Sequence, residues 1–174
     1  MKVGNCAIVI PGAHAPERVA AEALREEVEI RAGVGWPIVD AWPDDRPAVA
    51  VSLSRNKTLL GKPVPRRTGS APENVAEGFR VVVDRKAQII WVIGADRRGC
   101  LYGVGLLLRK LQFTRDSVVL EEDLDIASSP RYPIRGHQLG YRPTANSYDA
   151  WTPDQYERYI RAVSYTHLTL PTKA

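Results

Sequence analysis

Apolar and polar positions follow one another along the chain in segments whose length and period predict both strands and helices. Short apolar runs at residues 6–10 and Ala48–Leu53 predict buried strands. Between them, apolar positions at helical spacing predict a helix with Pro16 at its first position and Gly33 just after its end. Residues 36–42 predict a further strand. The order strand, helix, strand favours an α/β arrangement.

The middle of the chain predicts a loop, a hairpin and a second helix. Residues 55–74 are polar and rich in Pro, Gly and basic side chains, which predicts a surface loop. Residues 78–84 alternate in polarity and predict a partly exposed strand, which forms a hairpin with residues 88–93. In the strand 88–93 the side chains directed to either face are mostly apolar, so we expect the strand to be central and covered on both faces.

Asp96 is the predicted N-cap of the second helix. The apolar side chains that can form the buried face of this helix are Leu101, Tyr102, Val104, Leu107, Leu108 and Leu111. Gly99 and Gly103 lie four residues apart on one side of it. A glycine costs a helix about 1 kcal/mol relative to alanine, so two of them indicate that the backbone must approach a neighbour closely.

The turn at residues 94–99 also invites a nucleotide-binding interpretation, since it joins a strand to a helix. A phosphate-binding loop needs Lys and then Ser or Thr after its last glycine, and Cys100 and Leu101 stand there instead. A dinucleotide fingerprint fails as well, because Gly103 and Gly105 lie inside the helix without a third glycine. We therefore prefer a helix cap with close packing.

The last third predicts one more strand, a boundary and a third helix. Residues 117–126 predict a strand that contains an acidic stretch, and residues 127–130 predict a domain boundary. Thr152, Pro153 and Gln155 form the pattern of a capping box at the start of a helix. Up to the boundary, the predicted fold class is α/β (α+β-like): a mixed β-sheet with two main helices packed on it.

Composition and charge exclude several classes of function. Apolar residues make up 44% and charged residues 25% of the 174 positions, as in ordinary globular proteins. The formal charge is +4, but the basic residues occur as scattered pairs, so we expect no nucleic-acid partner. No apolar run is long enough to span a membrane. The first residues lack a secretion signal, which leaves open a cytoplasmic protein or a start further upstream.

Candidate reactive side chains are few. Cys6 and Cys100 are far apart and flanked by apolar residues, so we expect buried thiols, although the sequence leaves a disulfide open. His14 lies in a predicted loop, and no His, Cys or acidic cluster has metal-ligand spacing, so we expect no metal or other cofactor. The acidic pairs and runs at residues 44–45 and 121–123 are expected to be solvated rather than catalytic.

Three segments resemble a known architecture. Residues 94–103 follow the pattern Gly-x-x-x-x-Gly-x-x-Tyr-Gly, Ala20-Ala21 lies in the first helix, and Pro130-Arg-Tyr-Pro-Ile-Arg-Gly136 follows the boundary. They resemble the small α/β domain that precedes the catalytic barrel in family 20 β-N-acetylhexosaminidases and family 67 α-glucuronidases. The resemblance implies that residues 130–161 are the first β-α unit of a (β/α)8 barrel, truncated there.

The resemblance also implies a role for Arg142. In family 20 enzymes an arginine that binds sugar hydroxyls closes the pattern Arg-Gly-x-x-x-Asp-x-x-Arg at the end of the first barrel strand. In this chain the stretch from Arg135 to Arg142 is one residue shorter and has Gly140 near the family's Asp, a departure from family 20 specifically. The guanidinium group of Arg142 can donate paired hydrogen bonds to sugar hydroxyls or to a uronate carboxylate. A structural salt bridge at the barrel rim is the alternative.

The neighbours of Arg142 on the same predicted strand are polar. His137 and Gln138 point to opposite sides of that strand, and a hydrogen-bonded core histidine is preferred over a ligand.

The end of the chain predicts a different origin. Residues 163–172 match, in one reading frame, the translation of a transposase adapter used in short-read sequencing, and the codon for residue 162 can supply the adapter's first bases. We expect the genuine sequence to stop at Arg161, with residues 162–174 an artefact. A real C-terminal strand is the alternative.

These expectations combine into one functional interpretation. Residues 1–129 are expected to be a non-catalytic accessory domain, and residues 130–161 the start of a barrel that needs about 250 residues in full. The resemblance places the catalytic carboxylates in the absent part and implies amino-sugar or uronic-acid glycosides as carbohydrate substrates. The fragment itself is expected to be inactive. A stand-alone carbohydrate-binding or scaffold module is the alternative and needs an exposed aromatic platform.

Overall fold

The computed structural model describes residues 1–67, 70–135 and 151–167, and its main element is a six-stranded mixed sheet. Its strands, in chain order, are β1 (Ala7–Val9), β2 (Ile38–Val39), β3 (Ala48–Leu53), β6 (Phe79–Asp84), β7 (Ile89–Gly94) and β10 (Asp125–Ser128). Their order across the sheet is β10-β6-β7-β3-β1-β2. The four strands from β7 to β2 are parallel, while β6 and β10 join as antiparallel neighbours.

The remaining elements cover this sheet or extend from it. They are the helices α1 (Arg18–Ala32), α2 (Arg97–Lys110) and α3 (Pro153–His167), the hairpins β4–β5 (Thr58–Leu59 and Lys62–Pro63) and β8–β9 (Gln112–Thr114 and Ser117–Val119), and a 3-10 turn (Pro72–Asn74). The predicted fold class is confirmed, because α1 and α2 both pack on one face of the mixed sheet.

The two main helices begin and end largely where the sequence predicts. Gly33 ends α1 in the left-handed conformation, with φ of 72°, and its N–H donates to the Glu29 carbonyl. Asp96 caps α2, its carboxylate accepting the Gly99 N–H at 2.9 Å. The start of α1 differs from the prediction: Pro16 and Glu17 form a turn before the helix, and Arg18 is its first residue. This turn directs the Glu17 carboxylate inward, where it accepts the N–H of Leu53.

The glycines of α2 provide the close approach that the sequence predicts. A Cβ on Gly99 would lie 2.2 Å from the Gly78 carbonyl oxygen, and one on Gly103 would lie 2.7 Å from Cγ1 of Val92. Both distances are shorter than real Cβ contacts. The start of α2 therefore lies directly against the start of β6, and its second turn lies directly against β7.

The segment 55–74 is not only the surface loop that its composition predicts. Its hairpin β4–β5 covers the sheet face opposite the helices, where the Leu59 and Val64 side chains are buried beside Trp91. The sequence did not mark these two residues as part of a core, because most of the side chains around them are polar or basic. As a result β7 is buried on both faces, as predicted, but its second cover is a hairpin and not a helix.

Two predicted strands are corrected. The segment 36–42 contributes only Ile38–Val39, a short edge strand next to β1. Pro37 lacks an N–H and offers only its carbonyl, which accepts the Ile8 N–H. The predicted strand 117–126 is two strands, because β9 pairs with β8 whereas β10 crosses to the edge of the main sheet beside β6. Residues 121–123 lie exposed between them.

The third helix begins with the predicted capping box. The Thr152 hydroxyl accepts the Gln155 N–H at 3.3 Å, and the Gln155 side chain accepts the Thr152 N–H at 2.8 Å. The helix packs on α2, and Arg161 pairs with Glu26 of α1 at 2.5 Å. It continues past Arg161 to His167, so this stretch is helical rather than a strand. The origin of residues 162–174 stays a prediction.

Candidate functional site

The site residue that the sequence singles out, Arg142, lies outside the described residues, as do His137 and Gln138. The substrate-binding role of Arg142 therefore stays a prediction. The acidic residues at positions 44–45 and 121–123 are exposed, in agreement with the expectation that they are solvated.

The strand-to-helix turn at residues 94–99 is closed by the protein's own backbone. A Cβ on Gly94 would lie 2.3 Å from the Cys100 nitrogen, so no space is left beside this glycine. The Asp96 carboxylate accepts two backbone N–H groups, those of Gly99 and Glu77, each at 2.9 Å. An anionic phosphate would have to displace this carboxylate from the helix start. The helix cap with close packing that the sequence favours is the arrangement observed.

The carboxyl ends of the parallel strands are closed in a similar way. The connection after β1 leads to β2 on one side of the sheet, and the connection after β3 leads to β6 and β7 on the other, so a switch point lies between β1 and β3, where open α/β sheets commonly bind ligands. Here the Glu17 side chain, 1% exposed, occupies the position. Its Oε1 accepts the Leu53 N–H at 3.1 Å and the Asn56 side-chain N–H at 3.5 Å.

The two thiols are buried in the same core, as predicted, and neither is in a disulfide. Burial raises the pKa of Cys6 to about 12 and raises that of Cys100 as well, with the charge of Glu17 adding to the effect on Cys100. Both groups are therefore neutral thiols in the folded protein, which removes them as nucleophiles.

A concave surface lies where the chain leaves the α/β domain. This groove has a volume of about 610 Å³. It is lined by Val75, Ala76, Glu77, Asp96, Arg97, Arg98, Pro130, Arg131, Tyr132, Pro133 and Arg135. Four arginines against two carboxylates make it positively charged.

Glu77 is the central charge of the groove. Its Oε1 accepts a hydrogen bond from Arg98 at 2.6 Å, and its Oε2 is bonded by Arg135. The hydrogen bond from Arg98, followed by that from Arg135, lowers the pKa of Glu77 below its ordinary value. Burial and the charge of Glu77 raise the pKa of Tyr102. The charge of Arg135 and its hydrogen bond with Tyr102 lower it in part. Glu77 is thus ionised and fully engaged, which suits a structural contact better than proton transfer.

Neither Glu77 nor Glu17 was singled out from the sequence, because the partners of both are distant along the chain. The Glu77–Arg135 pair joins residues 58 positions apart. In the sequence Arg135 belongs to the segment that leads into the predicted barrel and to the arginine pattern that ends at Arg142. Nothing in local spacing marks such pairs.

Metal and membrane sites are not indicated within the described ranges. No group of three or more His, Cys, Asp or Glu side chains among residues 1–67, 70–135 and 151–167 is placed to hold a metal ion. In the same part of the chain, no helix combines the length and the apolar character that crossing a bilayer requires.

Comparisons with known proteins find similarity of structure but not of sequence. No family model matches the chain, and no curated protein matches it by sequence. Among solved structures, a GH20 β-N-acetylhexosaminidase from Streptomyces coelicolor A3(2) is similar over 95% of this chain, with a TM-score of 0.65 and 16% identity. The GH115 4-O-methyl-α-glucuronidase BtGH115A, with specificity for decorated arabinogalactans, has a TM-score of 0.61 and 18% identity over 95% of the chain.

A GH20 exo-β-N-acetylglucosaminidase from Vibrio harveyi, in complex with N-acetylglucosamine, gives a TM-score of 0.60 at 14% identity, again over 95% of this chain. This chain spans only 29%, 24% and 21% of the three proteins. At such identities the likeness is one of fold. The chain has an α/β fold that also occurs as a part of larger glycoside hydrolases.

Proposed function

We propose that residues 1–129 are the non-catalytic accessory domain of a glycoside hydrolase and that residues 130–161 lead into its (β/α)8 catalytic barrel. One observation carries the proposal: the fold matches glycoside hydrolases over 95% of this chain while spanning less than a third of their length. The Pro130–Gly136 segment, which resembles the entry to such a barrel, supports it independently.

The chemistry of the described residues supports a non-catalytic role for this part. Glycoside hydrolysis needs two carboxyl groups that flank the scissile bond in an accessible cleft. Glu17 and Glu73 are buried, at 1% and 4% exposure, and Glu77 is held between two arginines. The catalytic pair is therefore assigned to the barrel, and Arg142, at the end of its first strand, is proposed to bind the sugar.

The proposed substrates are amino-sugar or uronic-acid glycosides. The two kinds of enzyme with this fold act, by their names, on N-acetylhexosaminides and on 4-O-methyl-glucuronides. An arginine in the position proposed for Arg142 can bind either a pair of hydroxyls or a carboxylate, and so serves both classes.

Long-read sequencing of the source DNA across the codon for Arg161 is the first test. We expect an open frame of roughly 200 further codons with acidic residues at the ends of predicted strands, in keeping with a barrel. The encoded full-length protein should then release nitrophenol from aryl N-acetylglucosaminide or aryl glucuronide, while residues 1–161 release none. A gene that ends after residue 174, or hydrolysis by residues 1–161, would overturn the proposal.

A stand-alone carbohydrate-binding module would give a different result in calorimetry. It requires an exposed aromatic platform, whereas Trp36 and Trp91 are buried and Trp42 lies between Trp91 and Lys62. Titration of the chain with N-acetylglucosamine and glucuronic acid oligomers should show no heat of binding. Clear saturable binding would favour the module instead.

A further inference from the structure

Residues 130–135, here called the exit segment, connect β10 to the part of the chain that follows the α/β domain. Its last residue, Arg135, turns back to the domain and bonds both the Glu77 carboxylate and the Tyr132 carbonyl. The Arg135 and Glu77 side chains are each 17% exposed. The pair is thus largely shielded from water, where a charge contact is stronger than at the surface.

Glu77 is held rigidly from the domain side. Its backbone is left-handed, with φ of 63°, a conformation that residues other than glycine rarely adopt. The Asp96 carboxylate fixes it by accepting its N–H at 2.9 Å. The next residue, Gly78, lies against Gly99 at the start of α2. These contacts fix the backbone from which the Glu77 side chain extends to Arg135.

Two arginines share the Glu77 carboxylate, but they differ in burial. Arg98, on the first turn of α2, is 73% exposed, whereas Arg135 is 17% exposed. An exposed ion pair contributes little to stability, while loss of a buried partner leaves an uncompensated charge. The hydrogen bond from Arg98 lowers the pKa of Glu77 more, but the contact with Arg135 is the better shielded of the two and is the one that reaches the exit segment.

We propose that Glu77 is a positioning residue, which holds the exit segment against the start of α2 through Arg135 and so sets the direction in which the chain enters the next structural unit. The identity of that unit as a barrel rests on the proposed function. In such a barrel Arg135 stands at the entrance of the first strand, opposite to the end where barrel active sites lie. Arg135 is accordingly assigned to holding the chain, not to binding substrate.

A nitroxide label on the exit segment tests this in the full chain. Ile134 is 91% exposed, and Cys6 and Cys100 are fully buried, so the thiol of Ile134→Cys is the accessible one to label among the described residues. In the protein that carries Ile134→Cys alone, here the parent, we expect the label to show the restricted motion of an ordered backbone. Glu77→Gln and Arg135→Gln should each shorten its rotational correlation time at least about threefold, as local segments move faster once released.

Arg98→Gln is the matched control, since it removes an arginine from the same carboxylate. It should leave the label as immobile as in the parent. Equal effects of Arg98→Gln and Arg135→Gln, or no effect of Glu77→Gln and Arg135→Gln, would overturn the proposal. A second label at Val19→Cys, an exposed position on α1, reports whether a variant is folded. If Glu77→Gln does not fold, Arg135→Gln alone decides the test. Because the readout is local motion, it is independent of whether a hydrolase barrel follows.

Discussion

At the residue scale, a few buried polar side chains connect elements that are distant along the chain. Glu17 joins the turn before α1 to the end of β3, and Arg80 joins β6 to β10 through the Asp125 carboxylate at 2.7 Å. The alternation of residues 78–84 predicts an exposed Arg80, yet its side chain is only 8% exposed because Asp125 pairs with it at the sheet edge. Such contacts become visible only once both partners are placed.

Glu17→Ala should lower the free energy of unfolding by about 2 kcal/mol, because the buried Leu53 N–H loses its acceptor. Urea denaturation followed by circular dichroism measures this. Glu22→Ala removes the exposed pair with Arg18 and should change stability by less than about 0.5 kcal/mol. Equal losses in the two variants would show that the Glu17 hydrogen bond has no special weight.

At the element scale, α2 can lie close to the sheet because Gly99 and Gly103 have no side chains. The sequence shows a helix that is weakened by several glycines, and the structure shows that Gly99 meets the backbone of Gly78 and Gly103 meets Val92. The prediction of a close approach is confirmed, but its direction toward β6 and β7 depends on the sheet order. Alanine at these positions would stabilise the isolated helix but is expected to destabilise the folded protein.

Gly99→Ala should destabilise the protein by about 3 kcal/mol, since the clash with the Gly78 carbonyl exceeds the roughly 1 kcal/mol gained in helix propensity. Gly35→Ala is the control, because a Cβ there meets nothing within 4 Å and its backbone is not left-handed. It should be neutral or slightly stabilising. Thermal unfolding of both variants gives the comparison, and a neutral Gly99→Ala would contradict the packing argument.

The edge strand β10 should show a pH dependence that comes from Asp125. The hydrogen bond from Arg80, aided by the charges of Arg80 and Arg67, lowers the pKa of Asp125 below its ordinary value of 3.8. A lowered folded pKa means that the stabilisation is complete above the unfolded value and is lost as the pH falls through the folded value. Asp125→Asn should therefore be less stable than the parent at pH 7, and this difference should shrink below about pH 3.8.

Denaturation at pH 7, 5 and 3 measures that difference. Asp123→Asn serves as the control, because Asp123 is 77% exposed in its pair with Arg85 and should matter little at any of these pH values. A deficit of Asp125→Asn that stays constant down to pH 3 would show that packing, and not the carboxylate charge, holds β10.

At the scale of the whole molecule, one sheet carries two apolar layers. The helices bury one layer, which includes Trp36, and the hairpin β4–β5 buries the other, which includes Trp91. Strands β3 and β7 contribute to both, since all their residues are buried. The two layers should therefore not separate on unfolding.

Fluorescence of Trp36→Phe and Trp91→Phe variants tests this coupling in the full chain. Trp42, which packs on Trp91, and Trp151 are replaced by Phe in both variants, so that each keeps a single tryptophan, in the other of the two layers. In urea, both should show transitions that coincide with the loss of secondary structure, as expected for a single cooperative unit. Midpoints that differ between fluorescence and circular dichroism within either variant would show that one layer unfolds first.

The sequence by itself determined the features that depend on neighbouring residues. It predicted β3, the hairpin of β6 and β7, the Asp96 cap, the Gly33 stop and the capping box of Thr152 and Gln155, because apolar period and cap chemistry act within a few residues. From these followed the mixed α/β class, while the motifs at residues 20–21, 94–103 and 130–136 carried the resemblance to glycoside hydrolases, whose fold the structure shares.

Only the tertiary structure decided the contacts between distant segments. The split of residues 117–126 into β9 and β10, the use of Leu59 as part of a second core, and the pairs of Glu17 with Leu53 and Glu77 with Arg135 each join parts separated by a loop or an element. The local sequence shows whether a side chain is polar, but it does not show which distant residue the side chain contacts in the fold. That partner is set by the order of strands in the sheet, which the complete fold selects.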